Sequence, residues 1–301
     1  MSATALAALD RLMLSRDLDC LLPADELRGR LERAGWPCSA AVIAAEQEAA
    51  GLWHPEGGRF GVHASLQYLS GDIDFPWQRN DFYDYGPAPD PEDSARRLLP
   101  VWFLGEPRIW LSGDGGVYLG DHRDFTSYLT RCFDDVVHFW EVLLLLDGFL
   151  VAWPRPLVFS SNRPRLEAAA LTGVPLASML GVEAFWPASR GNTRAWTGAG
   201  GSVVELDLPG FKRGTDVVCD SLEGIVLAAG GALGSGAGAR VTTSEPIPDD
   251  LLRELPVPLR ERHELCHEYV WGDALIYSED RYRRRHREML AGTWPRRSTL
   301  G

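Results

Sequence analysis

The stretch RIWLSGDGGVYLGDHRDFTSYLTRCFDDVVHFWEVLL, residues 108–144, carries the reading on which the fold depends. Apolar and aromatic residues on both sides of Gly113-Asp114-Gly115-Gly116 read as two strands, and the glycines supply the positive φ angles that a tight turn needs. TRCF then reads as another strand. The run VVHFWEVLLLL, preceded by Asp134, reads as an apolar helix begun by a short carboxylate. The same order recurs in RAWTGAGGSVVELDLPGFKRGTDVVCDSLEGIVLAA, residues 194–229, where Trp110 matches Trp196, Val117 matches Val203, and Cys132 matches Cys219 with a single-residue gap. A hairpin, a strand and a helix, given twice, predict an α+β fold: a mostly antiparallel, curved sheet flanked by helices, with room for two related units in tandem. Their boundary falls near AWPRPLVFSSNRPR, residues 152–165.

Toward the N-terminus, TALAALDRLML and ADELRGRLERAG have helical spacing, with Leu27, Leu31 and Ala34 on one face and Gly35 as a stop. SAAVIAAEQEAAG predicts a third helix, capped by Ser39 and ended by Gly51. RFGVHASLQYL alternates like a strand, and SGDIDFPWQRNDFYDYGPAPDPED reads as a long exposed loop. Toward the C-terminus, LGSGAGARVTTSEPIPDD reads as a connector. Gly234, Gly236 and Ala239 fit a loose dinucleotide-site spacing, but Pro246 and Pro248 leave no room for the helix that should receive the phosphates. A helix is expected from about Leu259 to Trp271, then the arginine-dense EDRYRRRHREML. The expected organisation is an acidic α+β domain over 1–150, a second, degenerate related unit over 151–232, and a Gly/Pro connector with a C-terminal helical region over 233–301.

Charge separates the halves. Residues 1–150 hold 24 Asp and Glu against 12 Arg, and residues 151–301 hold 18 acids against 18 bases, so the whole net charge of -12 sits in the first half. An acidic surface repels nucleic acid and attracts basic proteins by long-range steering. The densest acidic segment also carries aromatic residues: Asp72, Asp74, Trp77, Asp81, Phe82, Tyr83, Asp84, Tyr85, Asp90, Glu92 and Asp93. Aromatic anchors ringed by charge suit an interface hot spot, and the competing reading is a solvated loop whose aromatics pack back onto the domain.

The succession AAVIAAEQEAAGLWHPEGGRFGVHASL, with an acidic residue at Glu46 or Glu48, then LLPVWFLGEPRIWLSGDGGVYLGD and a closing strand and helix, resembles the SUKH superfamily of bacterial immunity proteins. The resemblance covers residues 20–148 and, more weakly, 155–232. It implies a non-enzymatic cytoplasmic protein that binds and neutralises a cognate polymorphic toxin of the nuclease or deaminase class. That implication agrees with the charge, because enzymes acting on nucleic acid present cationic surfaces to phosphate, which carboxylates can cover. The expected partner is a basic toxin rather than nucleic acid or membrane, with no cofactor. A regulatory interaction scaffold is a further alternative.

RERHELCHEYVW contains H-e-x-x-H, His263-Glu264-Leu265-Cys266-His267. On a helix, two histidines one turn apart can hold zinc while the glutamate activates water. The alternative function is therefore a zinc-dependent hydrolase with His263, His267 and Glu288 as metal ligands and Glu264 as general base; Glu288 follows His267 at close to the thermolysin-like spacing. Against it, Glu261, Arg262 and Glu268 put charge where such helices are usually buried. Leu259, His263, Cys266 and Val270 also recur at the spacing of an ordinary buried helix face.

Other chemistries lack their signatures: there is no P-loop and no G-x-S-x-G elbow. The five cysteines, Cys20, Cys38, Cys132, Cys219 and Cys266, form no C-x-x-C pair, which suits a reducing compartment. Asp10 and Arg11 interrupt what would be a signal-peptide core, and Asp147 and Gly148 break the longest apolar run, so no membrane span is expected.

Overall fold

Short helices open the chain where the sequence places them. The computed structural model describes residues 1–12, 14–16, 21–54, 58–59, 88–89, 97–104, 106–119, 130–147, 163–208, 212–263 and 267–272. Helices α1 (Ala3–Arg11), α2 (Ala24–Arg33) and α3 (Ala40–Ala49) come first. Leu27 and Leu31, one turn apart on α2, are both buried. Gly35, at φ 70°, ends α2 by letting the Trp36 N–H return to the Leu31 carbonyl at 2.9 Å. Ser39 caps α3 by accepting from the Val42 N–H at 3.2 Å.

Strands β1 (Ser15–Arg16), β2 (Leu52–His54) and β3 (Gly58–Arg59) form a small antiparallel sheet. Strands β4 (Ala88–Pro89), β5 (Arg97–Leu104), β6 (Glu106–Leu111), β7 (Val117–Leu119) and β8 (Thr130–Phe133) form a five-stranded sheet whose order follows the chain. The glycine-rich hairpin joins β6 to β7, with Leu111 opposite Val117 and the Ser112 N–H donating to the Gly116 carbonyl at 2.9 Å. Asp114 holds that turn: it accepts from the Gly116 N–H at 3.1 Å and from the Ser112 hydroxyl, and it pairs with Arg131 of β8 at 2.7 Å. Burial alone would raise the Asp114 pKa, but these hydrogen bonds and the Arg131 charge hold it far below the usual carboxylate range.

Helix α4 (Val136–Leu145) is capped by Asp135, whose side chain accepts from the His138 N–H at 2.7 Å. Nine of its ten residues are buried, as an apolar helix requires when it is covered on all sides. It packs on α1 and α3 and reaches strands of the second half.

The second half contributes β9 (Arg165–Ala168), α5 (Gly173–Leu180), β10 (Glu183–Ala184), a 3-10 turn at Trp186–Ala188, β11 (Thr193–Gly198), β12 (Gly201–Leu208), β13 (Lys212–Cys219), α6 (Leu222–Gly234), β14 (Ala239–Thr242), α7 (Asp249–Arg253), β15 (Glu261–His263) and β16 (Glu268–Trp271). These strands form one antiparallel eight-stranded sheet, β10-β11-β12-β13-β9-β14-β16-β15. The run β6-β7-β8-α4 thus has the same element order as β11-β12-β13-α6, and Ser221 caps α6 as Asp135 caps α4. The turns differ: β11 and β12 close directly from Gly198 to Gly201. A Cβ on Gly201, at φ 134°, would lie 2.1 Å from the Val218 carbonyl oxygen, so only glycine fits there.

Both faces of this sheet are covered. Leu166, Ala168, Val203, Val217 and Cys219 share a core with residues of α5 and α6, whereas Ala195, Val204, Leu206, Leu208 and Val218 share one with α4 and the first-half strands. Burial on both faces explains why six of the eight β12 residues in a row are buried rather than every second one. Each fully buried Val or Leu contributes on the order of 2 kcal/mol.

The α+β class with antiparallel sheets is therefore the observed one. The organisation of the C-terminal region is corrected. Residues 239–242, 261–263 and 268–271, expected as a connector and a helix, are strands hydrogen-bonded into the same sheet as β9. The apolar run before Gly234 is helix α6, not the strand that a dinucleotide site requires. Among the described residues, no helix is long and apolar enough to cross a membrane.

Candidate functional site

Of the acidic and aromatic segment 72–93, only Ala88 and Pro89 are described, as a strand opposite Leu98 and Arg97; its eleven singled-out residues lie outside the described residues. Glu264, Cys266 and Glu288 also lie outside them. The two histidines of the zinc motif are not one helical turn apart. His263 ends strand β15 directly opposite Glu268 of β16, and His267 has φ 46°, outside the helical range. The physical reason is that Tyr269 and Trp271 are buried in the core beneath the sheet, while β16 hydrogen-bonds to β14 along its length. Pairing of this apolar segment into the sheet overrides the local helical spacing. The two acids singled out on α3 also separate: Glu46 is buried, and Glu48 holds the Met1 ammonium at 2.8 Å.

Two constellations not apparent in the sequence lie where the halves meet. In the first, the fully buried Asp147 carboxylate receives the Arg163 guanidinium through two hydrogen bonds of 2.5 and 2.6 Å, and Arg11 of α1 at 2.7 Å. Arg163 also reaches Asp220, just before α6, at 2.9 Å. Burial alone would lower the Arg163 pKa; the hydrogen bonds and charges of Asp147 and Asp220 override it and hold the group above its ordinary value. Next to it, Asp216, Glu167 and Arg240 stand in register across β13, β9 and β14. They lie on the face opposite Leu166 and Val217. Burial, reinforced by the Arg163 charge, pushes the Arg165 pKa down despite Asp147, Glu167 and Asp216.

The second constellation centres on His138. Its Nε2 is 2.7 Å from the Thr193 hydroxyl, which is also within 2.8 and 2.9 Å of the Ala188 and Arg190 carbonyls. A hydroxyl has one proton, and carbonyls only accept, so Thr193 donates to a carbonyl and His138 Nε2–H donates to Thr193. Nδ1 is then a bare acceptor, buried without a hydrogen-bond partner, 4.0 Å from Asp134. Burial, then the Arg190 charge, pushes the His138 pKa down to about 4, so the ring is neutral at physiological pH. Arg190 is itself held by Asp135 at 2.8 Å.

Beside this contact is an open groove of about 330 Å³, lined by Trp186, Arg190, Gly191, Arg194 and Trp196. Trp186 is 77% exposed. In sequence Trp186 is one apolar residue among many in VEAFWPAS; only its place at the sheet edge leaves it uncovered. The thiols are of another kind. Burial raises the pKa of Cys132, and burial reinforced by Asp220 pushes Cys219 up to about 12, so both are protonated core groups and not nucleophiles. Comparison of the chain with family models, with curated proteins and with solved structures finds no match in any of the three.

Proposed function

We propose that the chain is a cytoplasmic immunity-type protein, of the SUKH kind that its first half resembles, which binds a basic toxin of the nuclease or deaminase class and occludes its cationic surface. The observation that carries this reading is the charge distribution: 24 acids against 12 arginines over residues 1–150, and balance thereafter. Field from such a half accelerates the capture of a cationic protein and disfavours nucleic acid as a competitor. The buried polar groups support a binding rather than a chemical role. Glu141 accepts the Ser2 hydroxyl at 2.6 Å and Glu205 accepts the Gly173 N–H at 2.7 Å, so these carboxylates are committed to holding elements together. Residues 72–93 are the proposed contact segment.

The test is capture from the native host by the immobilised full chain at low and high salt. A basic protein, bound at low salt and released as the charges are screened, with its nuclease or deaminase activity blocked by the chain, is the expected result. Capture of no basic protein, or of one whose activity is untouched, overturns the reading.

A further inference from the structure

Helices α5 and α6 lie side by side on the face of the eight-stranded sheet that is turned away from α4 and the first-half strands. Their inner residues, among them Leu176, Ala177, Ile225 and Ala229, are buried against that sheet. Their outer residues are apolar as well. Val174 is 58% exposed, Leu227 47%, Met179 41% and Leu171, just before α5, 38%. These are four of the six large apolar side chains that stand exposed among the described residues. The two helices share one outer face: a Cβ on Gly231, one turn beyond Leu227, would lie 2.6 Å from the Met179 sulfur, so Met179 rests on α6. No charged residue occurs in 169–182 or in 224–239. Glu223, in the first turn of α6, is the exception at its rim.

A helix that packs on one side only ordinarily carries charge on the other, and an apolar outer face marks an association surface. The charge distribution selects the occupant. A basic protein is steered toward the first half, where the whole net charge of -12 sits, and an uncharged face offers it no counter-charge. A second copy of the chain meets the opposite condition. Two copies repel through their acidic halves, and contact through α5 and α6 keeps those halves on the outer sides of the pair, with both eight-stranded sheets between them. A face without charge is also complementary to itself, as a two-fold contact requires. We propose that α5 and α6 form the interface of a homodimer, with Val174, Met179 and Leu227 of one copy packed against the same two helices of the other. With 8 and 13 residues, the helices are about 12 and 20 Å long. A two-helix face of that length falls short of the roughly 800 Å² that each partner gives to a tight complex, so the dimer is weak and concentration-dependent. It leaves both acidic halves free and is independent of what they bind.

Sedimentation velocity of the full chain from about 1 to about 300 µM is the test. Monomer is expected at the low end and dimer at the high end, with a dissociation constant on the order of 50 µM. The dimer should tighten as salt is raised, because screening removes the repulsion between acidic halves and leaves the apolar contact. Val174→Glu and Leu227→Glu each put charge into the contact and should weaken it about tenfold or more, whereas Leu6→Glu, at an exposed apolar position of α1, should leave it unchanged. All three positions are exposed, and circular dichroism checks that the variants fold. A chain that stays monomeric throughout overturns the dimer. So do a dimer indifferent to both helix variants, one weakened equally by Leu6→Glu, and one that dissociates as salt rises. Uncharged phosphatidylcholine vesicles test the other occupant: vesicle binding that is lost in Leu227→Glu, by a chain that stays monomeric, assigns the face to a membrane surface and overturns the dimer.

Discussion

Arg163 grips the Asp147 carboxylate with two hydrogen bonds, through Nε at 2.5 Å and Nη2 at 2.6 Å, where Asp147 ends the first-half helix with a left-handed backbone at φ 52° and no exposure. A carboxylate without solvent is tolerable only when paired, and here Arg11 from α1 supplies a second cation. Asp147→Asn should leave two arginines facing a neutral amide and destabilise the chain by about 3 kcal/mol, read as a lower urea midpoint. A midpoint unchanged within error would show that the clamp is dispensable.

His138 makes stability depend on pH. Its folded pKa of about 4 lies below its ordinary 6.5, so between those values the unfolded chain takes up the proton and the folded chain does not. Stability is therefore fully present above pH 6.5, falls as pH drops through that window, and stops falling from this cause below about 4. The shift corresponds to about 3 kcal/mol across the window. Asp134 and Asp135, which face the ring with Arg190, oppose that shift. Urea unfolding at several pH values should show the slope, and His138→Gln should flatten it. An equal slope in that variant would assign the dependence to other groups.

Glycine-to-alanine changes should be costly in one of the two matched hairpins and tolerated in the other. Gly201→Ala forces a Cβ against the Val218 carbonyl at a positive φ and should cost about 2 kcal/mol or more. Gly113→Ala meets open space within 4 Å and should stay within about 0.5 kcal/mol of the wild type. Thermal melts of both variants provide the comparison.

Steering by the acidic segment is a matter of rate. Asp81→Lys/Asp84→Lys should slow association with the captured basic partner by about tenfold at low salt, with a smaller change in dissociation. Stopped-flow association rates at two salt concentrations measure it, and an unchanged on-rate would remove residues 72–93 from the encounter surface.

For the histidine motif, strand pairing of His263 with Glu268 withdraws the helical spacing on which zinc ligation was argued. Chain purified without added zinc should carry no stoichiometric metal, and zinc should not raise its melting temperature. One ion per chain that disappears with His263→Ala would restore the hydrolase.

What the sequence by itself determined is local. Gly113–Gly116 made a turn, Ser39 and Ser221 stood where helices start, and Leu27 and Leu31 pointed inward, because turns, caps and helical faces act over a few residues. Tertiary structure decided the rest. Strand β9 lies between β13 and β14, which are distant from it in sequence, and that placement made residues 261–263 and 268–271, expected as parts of one helix, into a strand pair at the far edge of the sheet. Asp147, legible only as a break in an apolar run, meets an arginine 136 positions away. Trp186, in the turn that follows edge strand β10, is 77% exposed, whereas Trp110 and Trp140 are fully buried. Cross-strand hydrogen bonds and buried ion pairs form between residues that only the assembled chain brings together, and no short window of sequence contains both partners.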